Sequence, residues 1–169
     1  TLDMDARYED GDYQADVTAQ TNGPLGDTRV STELDGDLSA VNLTNLQATT
    51  GAGSLKGQAS LGFAERLEWD AELMLSHFNP GYWLPELQAD LNGRVASAGH
   101  LGVDGLPVAT ADWDLMGSWR DSEARAEGRL EGLGSEWQVS ELELRVGDNR
   151  VQGSGRWAQA LAASITLDI

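Results

Sequence analysis

The 169-residue chain has no cysteine, only two histidines and no apolar run approaching the roughly 20 residues that span a bilayer. Without cysteine, a disulfide scaffold, a zinc ribbon and a thiol nucleophile are excluded. His77 and His100 are far apart in the sequence and belong to no H-x-x-x-H or H-x-E pattern. A metal site or a histidine general base is therefore not expected.

Basic residues are also scarce, because 11 Lys and Arg stand against 28 Asp and Glu, for a net charge of −17. Such a surface repels the phosphate backbone of nucleic acids and the headgroups of anionic lipids. We therefore expect no nucleic-acid partner and no electrostatic docking on a membrane. The acidity is expected to serve solubility.

Catalytic signatures are missing as well. Residues 51–57 (GAGSLKG) lack the Gly-Lys-Ser/Thr ending of a phosphate loop, and no Gly-x-Ser-x-Gly elbow occurs. The acidic turns at 9–12 and 35–37 lack the spaced ligands and the terminal glutamate of an EF-hand. We predict no catalytic, cofactor-binding or metal-binding residue, and no enzymatic activity.

What the chain does have is a two-residue alternation of apolar and polar side chains, as in Tyr13, Ala15 and Val17. This period is that of a β-strand with one apolar and one solvated face. The phase slips between Leu43 and Leu46, which indicates a β-bulge. Residues 96–107 are rich in glycine and are expected to form a loop. With at most one short helical turn near 81–87, the predicted class is all-β.

Residues 66–95 contain the clearest local pattern. A strict alternation of charge and hydrophobe is followed by an aromatic-rich turn and by a second alternating stretch. Asn-Pro-Gly is a chain-reversing sequence. We therefore predict strand, turn and strand, with a structural corner at Phe78, Asn79, Pro80 and Gly81.

An approximate internal repeat relates residues 45–73 to residues 141–169. A shift of 96 residues places Leu46 on Leu142, Gly51 on Gly147 and Gly57 on Gly153. Similar units in series favour an elongated stacked sheet. We expect residues 1–169 to be one β-repeat segment of a longer protein, because the pattern begins and ends in mid-strand. The alternative is a closed Greek-key sandwich that serves as a binding or adhesin module.

Many positions on the apolar phase are Gly or Ala, so either the sheet curves tightly or its inner face leaves room for a ligand. An apolar groove with free space suits acyl chains or an unfolded β-strand better than a polar substrate. The larger apolar side chains of this phase are the candidates for lining such a groove. They are Val17, Val30, Leu55, Leu61, Phe63, Trp69, Leu73, Leu75, Leu91, Val95, Trp113, Leu115, Val151, Ile165 and Leu167.

Three stretches resemble the TamB family, the translocation and assembly module subunits within the AsmA-like group. They are residues 69–73 (WDAEL), 78–85 (FNPGYWLP) and 91–95 (LNGRV). Residues 43–51 followed by 55–61 are similar to the repeat that recurs along that family.

The resemblance implies a β-taco, a long folded-over sheet with an apolar groove. It implies a parent protein anchored in the inner membrane of a Gram-negative bacterium and spanning the periplasm. It further implies an outer-membrane partner of the BamA family, TamA. The implied cargo is phospholipid, or an unfolded β-strand during outer-membrane protein assembly, and the family has no catalytic residue to carry over.

Overall fold

The chain forms one antiparallel β-sheet of twelve strands, seen in a computed structural model that describes residues 1–23, 26–82, 85–158 and 161–168. Each strand pairs with its neighbours in the chain, so the spatial order equals the sequence order. The predicted all-β class is confirmed. The strands are β1 Leu2–Glu9, β2 Asp12–Gly23, β3 Gly26–Gly36, β4 Ala40–Thr50, β5 Gly53–Gly62, β6 Glu68–Phe78, β7 Ala89–Leu101, β8 Pro107–Trp119, β9 Ser122–Leu133, β10 Glu136–Val146, β11 Asn149–Trp157 and β12 Leu161–Asp168.

Two 3-10 turns of three residues each, Pro80–Tyr82 and Pro85–Leu87, connect β6 to β7. They fall where the sequence predicts one short helical turn, and residues 83 and 84 of that stretch lie outside the described residues. In the described part of the chain, no helix has the length and apolar character needed to cross a membrane.

The sheet is open. β1 and β12 lie at opposite ends of the strand order, and in the described ranges all extensive contacts between strands join sheet neighbours. A Greek key would instead pair strands that are not consecutive in the chain, and the sequential strand order excludes this. The closed Greek-key alternative is therefore wrong. The single elongated sheet fits the folded-over, taco-like architecture expected from the resemblance.

The loop predicted at 96–107 is wrong for most of its length. β7 continues to Leu101 and β8 begins at Pro107, which stands opposite Leu101 at the start of its strand. Residues 96–99 (ASAG) are small on both faces of the sheet, so no alternation marks them as a strand. The hydrogen-bonded pairing with β6 and β8 nevertheless keeps them extended.

The fold has no conventional hydrophobic core. Among the described residues, Ala52 and Ala124 are the only hydrophobic side chains that become buried, at 2% and 5% exposure. A single layer can bury side chains only against their cross-strand neighbours. Backbone ladders and cross-strand pairs therefore hold the sheet together.

β-Bulges interrupt three strands. Asn45 in β4, His77 in β6 and Glu141 in β10 have φ angles of 50°, 53° and 56°, and the register shifts beside each of them. The bulge predicted from the phase slip between Leu43 and Leu46 is confirmed. Each bulge adds local twist to its strand and restores the apolar residues beyond it to the same face.

The two segments related by the 96-residue shift share this device. The bulges at Asn45 and Glu141 are followed by Leu46 opposite Gly57 and by Leu142 opposite Gly153. The counterpart of Leu73 is residue 169, which lies outside the described residues.

Glycine permits close backbone approach at two points of the sheet. A Cβ atom at Gly57 would lie 2.0 Å from the carbonyl oxygen of Glu72, and one at Gly117 would lie 1.8 Å from that of Asp90. Neither position can carry a side chain unless the backbone moves. Strand glycines and bulges together allow a sheet to bend sharply, as a folded-over sheet must.

Candidate functional site

One side of the sheet, here called the apolar face, carries the alternating hydrophobic side chains of every strand. The opposite side, here called the polar face, carries Glu72, Arg94, Asp112 and Arg129. The apolar face is marked by a row of directly opposed residues that crosses all twelve strands without a polar side chain. This continuous apolar row consists of Leu2, Ala19, Val30, Ala48, Leu55, Leu75, Gly93, Leu115, Ala126, Leu144, Val151 and Leu167.

The candidate groove residues lie on the strands of this face, with one exception. Phe63 follows the end of β5 and is 43% exposed. Residues of the row such as Ala48, Ala126 and Leu144 were not among the candidates. Alternation within each strand places them on the apolar phase, and the pairing register aligns them in one row.

The apolar face remains accessible. Leu55, Leu75 and Leu115 at the centre of the sheet are half-buried, and Leu144 is 41% exposed. At one end of the row Leu167 is 63% exposed. Because no second layer packs on these side chains, the face is a surface rather than a filled core.

Tryptophan occupies part of the space that the small residues leave. The indole rings of Trp69, Trp113 and Trp137 lie across glycines that face them on the next strand. A Cβ on the facing glycine would lie 2.7 Å from the ring at Gly99, 2.4 Å at Gly128 and 2.5 Å at Gly132. These glycines therefore let the rings lie flat along the face, in the manner of aromatic rescue of strand glycines.

Two further contacts fix the indoles. Trp69 Nε1 donates a hydrogen bond of 3.2 Å to Ser97 Oγ. Trp137 stacks on Trp157 with ring centroids 6.3 Å apart. The rings thus keep defined positions, and their flat faces leave the apolar surface shallow and unobstructed.

A lane of small side chains runs beside the rings. Ala59, Ala71, Ser97 and Ala111 stand directly opposite one another on β5 to β8. The neighbouring positions along β6 are Trp69 and Leu73. On β6 the lane of small side chains is therefore flanked by a bulky side chain on each side.

The polar face is held by cross-strand ion pairs. Arg94 Nε lies 2.6 Å from Glu72 Oε1, and Arg129 Nη1 lies 3.2 Å from Asp112 Oδ1. A concavity of about 740 Å³ lies across β4 to β9 and is lined chiefly by residues of this face, Asp70 and Glu131 among them. Three carboxylates, Glu68, Asp70 and Glu131, border it among mostly small and apolar residues. The apolar face is the candidate site because its row crosses the whole sheet without any charged side chain.

The corner between β6 and β7 is tied together by Asn79. Its Oδ1 accepts hydrogen bonds from the backbone N–H groups of Gly81 (2.9 Å) and Ala89 (3.2 Å). The backbone N–H of Asn79 donates a hydrogen bond of 2.8 Å to the carbonyl of Ala52. Phe78 lies opposite Leu91 in the strand pairing. Pro80 and Gly81 belong to the first 3-10 turn. The corner thus joins the start of β7 to the β4–β5 turn.

His77 is paired with an acid at the protein surface. His77 Nδ1 lies 3.0 Å from Asp90 Oδ2, and both side chains are exposed. Within the described ranges, no three His, Asp or Glu residues are grouped so that they could hold a metal ion.

An open antiparallel sheet with one continuous, accessible apolar face defines a taco-like β-protein that presents an apolar surface along its length. The family model described as TamB, N-terminal domain, matches residues 9–169. The chain therefore belongs to the TamB family, a family of bacterial envelope proteins. No curated protein and no solved structure gives a significant match.

Proposed function

We propose that this chain is a segment of a bridge across the periplasm whose apolar face carries phospholipid between the inner and outer membranes. The observation that carries the proposal is the continuous apolar row, which meets no charged or polar side chain on any of the twelve strands. Neighbouring strands are about 4.8 Å apart, so such a row extends for roughly 50 Å along the sheet. That length can shelter whole acyl chains.

Acyl chains gain free energy wherever such a face removes them from water, by about 0.8 kcal/mol for each fully buried CH₂ group. The flat Trp69 and Trp113 rings offer contact area without blocking movement along the face. Headgroups can remain in water beyond the strand ends. Carriage of this kind makes and breaks no covalent bond, so the proposed role is not enzymatic.

Lipid suits the face better than an unfolded β-strand does. The backbone N–H and C=O groups of β2 to β11 are engaged with neighbouring strands on both sides. A polypeptide lying on the face would leave its own backbone groups unpaired, which is costly away from water. An acyl chain has no such groups. Assistance to outer-membrane protein assembly, through a BamA-family partner such as TamA, would instead have to use the sheet edges at β1 and β12 or other surfaces of the full-length protein.

The test compares two neighbouring hydrophobic residues on opposite faces of β6. Leu73 lies on the apolar face, and Met74, 51% exposed, lies on the polar face. We expect Leu73→Glu to reduce binding of a fluorescent phosphatidylethanolamine at least about tenfold, because a carboxylate then interrupts the apolar surface. Met74→Glu should bind like the unaltered chain.

Native mass spectrometry of the same samples identifies the cargo. Lipid-mass adducts that are present on the unaltered chain and on Met74→Glu, and lost on Leu73→Glu, would support the proposal. Equal lipid binding by both variants, with circular dichroism showing both folded, would contradict it. Recovery of bound polypeptide in place of lipid would do so too.

A further inference from the structure

Arg120 differs from every other cationic residue of the chain in what it contacts. The other arginines and Lys56 lie in rows of the polar face, except Arg66, which lies between β5 and β6 with its Nε 3.6 Å from Glu68. The guanidinium carbon of Arg120 lies over the ring of Trp119, 5.0 Å from its centroid. Since Trp119 belongs to the apolar face, Arg120 brings a positive charge to the edge of that face.

The backbone holds Arg120 in this place. Arg120 and Asp121 form the β8–β9 turn with φ angles of 49° and 65°. Two consecutive positive φ angles are those of a type I′ hairpin turn, which is tight and matches the twist of its strands. Arg120 therefore sits at a strand end, where the apolar face meets water.

Hydrogen-bond donors at this rim lack partners. Arg120 forms no ion pair with any residue that the structure describes, and its side chain is exposed. The indole Nε1 of Trp119 is buried and has no acceptor among the described residues. Stacking on the indole pre-orders the guanidinium and leaves its N–H groups available to an anion.

We propose that Arg120, stacked on Trp119, binds the phosphate of a glycerophospholipid whose acyl chains lie on the apolar face. This inference rests on the proposed function and adds to it the headgroup contact. An amphiphile on the face must place its headgroup where the apolar side chains end, and Arg120 is the cation at such an end. Guanidinium–phosphate pairs are strong because two parallel N–H groups meet two phosphate oxygens.

The neighbouring carboxylates specify the headgroup further. Asp121 completes the turn, and Glu123 follows on the polar face of β9 opposite Ser118. These two acids repel a headgroup with additional negative charge and attract an ammonium group beside the phosphate. The preferred ligand is therefore a zwitterionic phospholipid such as phosphatidylethanolamine.

The experiment compares Arg120→Asn with Arg66→Asn as a matched loss of one exposed arginine. Asparagine tolerates positive φ, so the β8–β9 turn should survive the substitution. Binding is measured with fluorescent phosphatidylethanolamine and with a fluorescent diacylglycerol that has the same acyl chains and no phosphate. We expect Arg120→Asn to weaken phosphatidylethanolamine binding about tenfold, the size of a lost charge-assisted contact, and diacylglycerol binding less than about twofold. Arg66→Asn should change neither.

Two other results would overturn the inference. An equal loss for both lipids in Arg120→Asn would mean that the arginine supports the fold of the rim and not the headgroup. Unchanged binding of both lipids would mean that no phosphate contact exists. Trp119→Phe provides a second variant, because phenylalanine is a weaker cation–π partner for Arg120 than tryptophan is. It should lower phosphatidylethanolamine binding without affecting diacylglycerol.

Direct binding of inorganic phosphate, without lipid, is measured as a further control. Inorganic phosphate that binds the unaltered chain as tightly as phosphatidylethanolamine does, and loses that affinity in Arg120→Asn, would identify a free-phosphate site and overturn the lipid assignment. If the unaltered chain binds neither lipid, the proposed function itself fails. If it binds both lipids equally well and Arg120→Asn has no effect, only the headgroup contact fails.

Discussion

Glu143 is the one charged side chain that the fold buries among the described residues, with 8% of the residue exposed. Its carboxylate accepts hydrogen bonds from Arg145, from Arg150 at 2.5 Å and from Gln152 at 2.9 Å. The contact with Arg150 contributes most to lowering the pKa of Glu143, from 4.5 to about 2, and Arg145 and Gln152 add to it. The carboxylate therefore stays ionised at every pH at which the protein would function.

This lowered pKa predicts an acid-dependent contribution to stability. Because the folded-state pKa lies below the unfolded one, the contribution is complete above about pH 4.5 and is lost as the pH falls towards 2. Glu143→Gln should remove it, so the stability gap between the variant and the unaltered chain should shrink from pH 7 to pH 3. Urea unfolding at the two pH values measures the gap.

Glu136→Gln serves as the control, since it removes an exposed partner of Arg156, and such pairs contribute little. A gap for Glu143→Gln that stays constant across this range would contradict the assigned role. In the sequence, Glu143 alternates with Leu142 and Leu144 and is not distinguished from the other carboxylates. Its burial depends on Arg150 and Gln152, which come beside it only once the β10–β11 register is set.

Among the elements, the corner between β6 and β7 depends on one side chain. Asn79→Ala would leave the N–H groups of Gly81 and Ala89 without the acceptor that they share. A lost acceptor for part-buried donors costs about 1–3 kcal/mol. We expect the free energy of unfolding in urea to fall by about that amount, while the all-β circular dichroism spectrum is retained.

The matched control is Asn149→Ala at the start of β11, where the amide donates a single 3.4 Å hydrogen bond to the carbonyl of Val146. Its effect should stay below about 0.5 kcal/mol. Similar losses for Asn79→Ala and Asn149→Ala would show that the corner is not a structural anchor.

Strands could be predicted wherever one face is polar, as the alternation in β6 and β8 shows. Residues 96–101 could not be predicted as a strand, because small side chains on both faces of the sheet leave no alternation of apolar and polar residues. The sequence also left open whether glycines mark curvature or free space. In the structure, Gly57 and Gly117 admit close backbone approach, and Gly128 lies under the ring of Trp113. Only the cross-strand register distinguishes these uses.

At the scale of the whole molecule, the sequence could predict a single apolar face but could not show whether two such faces meet. A closed sandwich needs large side chains to fill the space between sheets. Here the inward positions on β9 and β11 include Ala124, Ala126, Gly128, Gly153 and Gly155, which cannot fill such a space. The many small residues on the apolar phase therefore favour an open sheet. The continuous apolar row, by contrast, depends on how the strands pair with one another.

The net charge of −17 supplies the last prediction. The field of the whole chain opposes a ligand with net negative charge, and salt screens that field over a Debye length that falls from about 30 Å at 0.01 M to about 8 Å at 0.15 M. We therefore expect the affinity for anionic phosphatidylglycerol, relative to zwitterionic phosphatidylethanolamine, to rise as NaCl increases over this range. The ratio of the two affinities is measured because both headgroups share the phosphate contact with Arg120. The salt dependence of that shared contact therefore cancels in the ratio.

Fluorescent-lipid titrations at the two salt concentrations measure this ratio, with diacylglycerol as the reference for any general effect of salt on apolar binding. A ratio that falls with added salt would mean that local cations dominate the field at the apolar face. That outcome would require basic residues other than Arg120 to lie near bound headgroups. In the fold, nearly all of the basic residues lie on the polar face instead. A rising ratio would instead show that the acidic surface selects among phospholipids by their net charge, a role for the acidity beyond solubility.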